Sequence, residues 1–324
     1  MNPPPVAAVS LLGVDPTTHR RHRLHAMTRV YPETNCYADV LIELLNARGD
    51  EPLAALGCTV RGDFEGDQFT FFKPPLGELD ILFGVDIHEM QAYRPCPEQA
   101  AEQLRAGRTL IVEVDSFYLP DTAATTYRLE HAKTSVVIES VDVRGEHLRY
   151  FHNSGLYDLY GDDFRGVFRL GREVDPGVLP PYIELVRFDS GPGVARDHLR
   201  PTAREFLGRH LACRPNTNPF ERFGVQLAEQ LPTLIAGGAA EYHAYAFATL
   251  RMAGSAFEVA SSYVEWLFFD AEKPTAEAFD RIVKGCKALS FKLARRRPFD
   301  PAPAVSALAA DWDEAQDRLD AAAH

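Results

Sequence analysis

The sequence predicts an α+β fold in two parts, a mixed first domain over residues 1–200 and an all-helical second over 201–324. Three observations lead there: an amphipathic helix near the start, antiparallel-type strands through the middle, and loss of every strand signal from about residue 202. At 324 residues, 46% hydrophobic and 25% charged, the composition is that of an ordinary globular protein. No internal repeat is present.

The early helix is "NCYADVLIELLNARGDEP", where Val40, Leu41, Leu44 and Leu45 recur at helical spacing and Gly49 stands at the C-terminal cap. Cys36 falls in its first turn. "QFTFFKPP" reads as a short strand stopped by prolines, "CPEQAAEQLRAGR" as a helix, and "TLIVEVDSFYL" as a buried strand ending in polar and aromatic residues. "TSVVIESVDV" and "HLRYFHN" form a hairpin about Arg144-Gly145, the first arm apolar enough for burial on both faces.

Five helices are expected in the second domain: "TAREFLGRHLA", "NPFERFGVQLAEQL" with Asn218 as N-cap and Pro219 at N1, the long "AAEYHAYAFATLRMAGSAFEVASSYVEWLFF", "TAEAFDRIVKGCKALSFKLARRR" and "AVSALAADWDEAQDRLDAAA". The third, rich in Ala, Gly and Ser, is expected at the centre of the bundle. His243, Arg251 and Glu258 on it read as a solvated face.

A net charge of −12 argues against a nucleic-acid partner, because phosphate recognition needs a concentrated positive field. The opening "MNPPPVAAVSLLGV" lacks the pattern of a signal peptide, and no apolar run reaches membrane-spanning length, so no membrane partner and a cytoplasmic location are expected. The five cysteines, Cys36, Cys58, Cys96, Cys213 and Cys286, are scattered without a CxxC pair, and no cluster has metal-ligand spacing. Reduced thiols, no metal and no bound cofactor are expected.

A thiol in the first turn of a helix meets the positive end of the helix dipole and unpaired backbone N–H groups, which favour a thiolate nucleophile. Such a nucleophile needs an imidazole within reach and a carboxamide or carboxylate to orient it. Cys36, His131 and Asn153 supply these in the chain order of papain-like enzymes. A tight turn at Arg144-Gly145 pairs Asn153 with Val136, too far along the strand from His131; a wider or bulged turn nearer Val143 brings it opposite Lys133. Under the tight turn Asp158 faces His131 and is the reserve third member. Asn35 and Gln68 are candidate oxyanion donors, with the amide of Cys36 itself. Asp115 and Tyr118, directly after a buried strand, are candidate substrate-binding residues.

The stretches "ETNCYADVLIELL", "DFEGDQFTFFKPP", "LIVEVDSFYLPDTAATTYRLEHAKTSVVI", "YFHNSGLYDLYGDDF" and "HAYAFATLR" closely resemble the uncharacterised bacterial DUF1839 family over nearly the whole chain. More distantly, the first part is similar to the N-terminal domain of the butirosin-biosynthesis acyltransferase H and to bacteriocin-processing cysteine peptidases, all papain-like. The resemblance implies Cys36 as nucleophile, His131 as base and Asn153 where those relatives commonly carry Asp. Val30 stands where papain-like peptidases place an oxyanion Gln, which turns the expectation from peptide cleavage toward acyl transfer from an activated thioester.

The expected activity is therefore acyl, including aminoacyl, transfer from the phosphopantetheine thioester of an acyl carrier protein to a small amine acceptor. "HRRHR" and "ARRRP" would be the docking surfaces for an acidic carrier. The alternatives are a papain-like amide hydrolase or peptidase, and a non-catalytic papain-like scaffold that binds a protein partner.

Overall fold

The computed structural model describes residues 8–171 and 180–323. The proline-tipped start of the lead-in, residues 1–7, lies outside the described residues. The chain divides into two compact units. The first comprises Met1–His22, Cys36–Pro52 and Leu79–Val194, the second Arg23–Asn35, Leu53–Glu78 and Ala195–His324. The second unit thus takes in two early segments, Arg23–Asn35 and Leu53–Glu78, besides the chain from Ala195 onward.

Among the described residues, the first unit is built on one antiparallel sheet of seven strands. They are β1 (Val9–Ser10), β2 (Asp86–Glu89), β3 (Thr109–Asp115), β4 (Lys133–Asp142), β5 (His147–His152), β6 (Gly155–Tyr160) and β7 (Ile183–Arg187). The order is β2-β7-β3-β4-β5-β6, with β1 alongside β4. Helix α1 (Cys36–Arg48) ends at Gly49, whose φ of +84° is the left-handed conformation a C-terminal cap requires. It packs against β4 and β5 on one face. Helix α2 (Leu76–Phe83) straddles the division between the units, and α3 (Cys96–Arg105) and α4 (Asp162–Val167) belong to the first.

On the other face Leu110, Val112 and Val114 of β3 and Val136 and Ile138 of β4 pack with Ala100, Ala101 and Leu104 of α3. Covered on both sides, β4 is buried from Thr134 to Val141, as its apolar run implies.

The β4–β5 connection keeps the register of a turn centred on Arg144-Gly145, with Asp142 opposite His147. A bulge at Glu139 then shifts the pairing by one, so that Val136 faces His152. The bulged residue has work to do: buried Glu139 Oε1 accepts from Ser10 Oγ at 2.6 Å, Leu12 N at 3.1 Å and Gly13 N at 2.9 Å. The bulge thereby fastens the N-terminal segment onto the sheet.

The second unit contains α5 (Leu199–Ala212), α6 (Pro219–Ala236), α7 (Ala239–Ala246), α8 (Met252–Phe268), α9 (Lys273–Ala294) and α10 (Ala302–Ala323). Asn218 caps α6 by accepting from Phe220 N at 2.9 Å, with Pro219 at the first helical position. A cluster of Phe64, Phe69, Phe220, Phe223, Phe257 and Phe279 forms its aromatic core.

Two expectations are corrected here. "QFTFFKPP" is not a strand but the end of a small hairpin closed by one bridge, Phe64 to Phe69, because the buried phenylalanines hold it by packing and the prolines stop any ladder. The long helix is broken by a π-helical stretch, Phe247–Arg251, between α7 and α8. There the Ala248 carbonyl receives a hydrogen bond from Phe69 N at 2.9 Å, so the irregular turn docks the hairpin. Helix α8 is buried along most of its length, as the centre of a bundle should be.

Candidate active site

Cys36 is the first residue of α1, where backbone N–H groups lack helical partners. Its Sγ lies 3.8 Å from Ser135 Oγ, donating to it, on the β4 strand beneath. Side chains alternate along a strand, so Ser135 and Lys133 project from the same face, about 6.6 Å apart. Lys133 is paired with Asp115 and Ser135 with Glu113 across the β3–β4 ladder. The face under the thiol therefore carries Ser135, Glu113, Lys133 and Asp115, and Lys133 Nζ bonds Glu113 Oε1 at 2.7 Å.

Asp115 ends β3 and His131 lies just before β4, with the intervening loop closed by Ser116 N donating to the Ala132 carbonyl at 2.9 Å. Asp115 Oδ2 meets His131 Nδ1 at 2.6 Å, and Asp115 Oδ1 accepts from Phe117 N at 3.1 Å. The Phe117 ring stacks on the imidazole, centroids 4.3 Å apart. A carboxylate only accepts, so Nδ1 carries a proton and the neutral ring would present its lone pair at Nε2; among the described residues Nε2 has no hydrogen-bond partner. The His131 side chain is 68% exposed, open to an incoming reactant.

Asn153 is not brought to His131 as its orienting residue. It occupies the two-residue β5–β6 turn, where His152 pairs with Gly155, and its φ of 44° is the left-handed conformation that asparagine tolerates. The Glu139 bulge leaves its register level with Ser135, between the two alternatives that the turn geometry allowed. Asp158 is engaged at the opposite end of the hairpin, bonded to His147 Nε2 at 2.7 Å and Arg149 Nε at 3.0 Å. Asp115, expected to hold substrate, is the group that orients the imidazole.

Tyr118 does not line an open cleft. It is 6% exposed and packs on α4, where a Cβ at Gly166 would lie 2.1 Å from its ring. Asn35 is buried and its amide donates to the Phe72 carbonyl at 3.0 Å, which commits it to backbone support. Gln68 is exposed at the tip of the Phe64–Phe69 hairpin, and its carbonyl accepts from Glu65 N at 2.8 Å. The third expected donor, the backbone amide of Cys36, stands at the first residue of α1.

Within "HRRHR" the histidines turn inward and the arginines outward. His19 Nε2 meets the fully buried Glu43 at 2.6 Å and His22 N donates to the same carboxylate at 2.9 Å, while Arg20, Arg21 and Arg23 are exposed. Arg295, Arg296 and Arg297 of "ARRRP" are also exposed. His243, Arg251 and Glu258 do not form one solvated face, because Glu258 is buried.

The Asp115–His131 pair was missed in the sequence because 15 residues separate its members, and only the antiparallel return of β4 onto β3 closes that loop. Among the described residues no group of three or more His, Cys, Asp or Glu side chains is arranged to hold a metal ion, and no helix is long and apolar enough to cross a membrane.

The DUF1839 N-terminal domain model matches residues 20–188 and the DUF1839 C-terminal domain model residues 196–321. No curated protein matches the chain.

Proposed function

The chain belongs to the DUF1839 family, and from its own residues we propose that it is a cysteine-dependent acyltransferase whose first unit is papain-like. The observation that carries this reading is the approach of Cys36, at a helix N-terminus, to the strand face on which Asp115 holds His131. The donor is a thioester on the phosphopantetheine arm of an acyl carrier protein, and the acceptor a small amine. Exposed Arg20, Arg21 and Arg295–Arg297 support docking of an acidic carrier.

His131 Nε2 takes the Cys36 proton, and the sulfur attacks the thioester carbonyl. The tetrahedral oxyanion is met by the Cys36 backbone N–H. Collapse breaks the donor C–S bond, and His131 returns the proton to the departing carrier thiol. The amine then attacks acyl-Cys36, His131 accepts its proton, and the Cys36 thiolate leaves to be reprotonated by the imidazolium. Asp115 keeps Nδ1 protonated and steadies the positive ring in both halves.

The exposure of His131 favours one second reading, hydrolysis, in which water replaces the amine. Incubation with a thioester-loaded carrier protein, followed by product analysis with and without amines, separates the two. Amide product supports transfer, and free acid with no amide supports hydrolysis. Alkylation of Cys36 at an ordinary thiol rate, unchanged by His131→Ala, would leave the non-catalytic scaffold.

A further inference from the structure

In the second unit, the last residue of the π-helical stretch, Arg251, and one face of α8 grip the segment Arg29–Glu33. Arg251 Nη2 donates to the Glu33 carbonyl at 3.1 Å, and Glu258 accepts from Val30 N and Tyr31 N, both at 2.8 Å. Between them lies Gly254, where a Cβ would sit 2.5 Å from the Tyr31 ring and 2.7 Å from its hydroxyl oxygen. The glycine is what lets this tyrosine lie against the helix. Spacing of three and seven residues from Arg251 sets Gly254 and Glu258 on the same side as the guanidinium.

The Tyr31 side chain held in this way is anomalous. The residue is 4% exposed, yet its hydroxyl has no hydrogen-bond partner among the described residues, which is costly for a buried donor. Burial, the first of several causes, raises its pKa, so the group stays a hydroxyl donor. Two cations flank it. Lys287 Nζ lies 5.4 Å from the Tyr31 ring centre, and Arg251, three residues before the Gly254 on which that ring lies, holds the Glu33 carbonyl two residues beyond the tyrosine. Neither cation has a carboxylate partner within ion-pair distance among the described residues, and Arg251 Nε is itself buried and unpaired. The neighbouring acid, Glu258, spends both oxygens on backbone N–H groups and faces Arg29 at 3.8 Å.

A buried hydroxyl donor, an unpaired guanidinium N–H and an ammonium without a counter-charge share one chemical complement. We propose that Tyr31, Arg251 and Lys287 form a binding site for a small oxyanion of the phosphate class. A tetrahedral phosphate oxygen accepts from the tyrosine hydroxyl and from the arginine fork while its charge offsets both cations. The site is independent of the chemistry assigned to Cys36. Inorganic phosphate and the phosphate ester of phosphopantetheine are two sources of the same group.

The test is calorimetric titration of the full chain with each of these two ligands, alongside thermal unfolding in their presence. Saturable binding is expected, with a phosphate-dependent rise in the unfolding midpoint. The double variant Arg251→Gln, Lys287→Gln should weaken binding at least tenfold, and Tyr31→Phe should weaken it while raising the midpoint without phosphate, since the lost hydroxyl was buried with no partner. Cys36→Ser should bind as the parent does, so failure of the site and failure of the acyltransferase reading are distinguishable. Tighter binding of phosphopantetheine than of phosphate identifies the arm as the source, and equal binding identifies free phosphate. Absence of saturable binding of either ligand at millimolar concentration, or binding untouched by all three substitutions, overturns the proposal.

Discussion

Asp115 Oδ2 stands 2.6 Å from His131 Nδ1, a contact made by the end of one strand and the residues leading into the next. It fixes which imidazole nitrogen is left open, the one to which our proposal gives the Cys36 proton. Asp115→Asn should therefore lower turnover by about 10²- to 10⁴-fold, because an amide can present the wrong hydrogen-bonding partner to Nδ1 and fails to balance the imidazolium. Single-turnover rates with an unaltered fold, checked by circular dichroism, measure it.

Asn153 should behave as a turn residue. With φ at 44°, Asn153→Gly is expected to leave stability within a few tenths of a kcal/mol, and Asn153→Ala to cost about 1 kcal/mol, with turnover unchanged in both. Urea denaturation and the same kinetic assay decide it. A collapse in turnover at full stability would return Asn153 to the site.

Burial separates the thiols. It pushes Cys58 and Cys96 up to about 12 and raises Cys286 as well. At pH 8 a thiol at about 12 is ionised to about one part in 10⁴, so iodoacetamide on the native protein should mark Cys36 and Cys213 and spare the other three. Peptide mapping before and after unfolding reads this directly.

The same shifts give stability a pH slope. Unfolded thiols titrate near pH 8.5 and the folded pair near 12, so above about 8.5 the unfolded state binds fewer protons than the native state. Stability should fall with rising pH through that window, by up to about 1.4 kcal/mol per unit for each thiol, and be fully present below it. Urea midpoints at pH 7 and pH 10 test the sign; equal values would show that these thiols are not held neutral by the fold.

Tyr118 should prove structural. Tyr118→Phe is expected to keep turnover, and Tyr118→Ala to cost about 3–5 kcal/mol by opening a cavity against Gly166. A selective rise in KM for Tyr118→Phe would restore the substrate-binding role.

Periodicity and caps made the helices legible: Cys36 at the start of α1, Gly49 at its end and Asn218 before α6 all follow from local chemistry. The long central helix failed locally for a tertiary reason, since Phe69 reaches Ala248 from a segment some 180 residues earlier in the chain. Strands β2 and β7 are short and their pairing is long-range, whereas β6 pairs locally with β5 but is mixed in polarity, which hid it. The site divides in the same way. Cys36 and His131, the nucleophile and base that we propose, are candidates by residue type and order, whereas the contact of His131 with Asp115 and not Asn153 depends on a one-residue bulge at Glu139 and on strand register, which no local pattern encodes.

The central claim, acylation of Cys36, is tested most directly by intact-protein and peptide mass spectrometry after mixing the protein with a thioester-loaded carrier protein. A mass increase equal to the acyl group on the Cys36 peptide, abolished by Cys36→Ser and formed at least 10²-fold more slowly in His131→Ala, is the expected result. An unmodified Cys36 across donors of several acyl lengths, or an adduct that forms equally fast without His131, would contradict it.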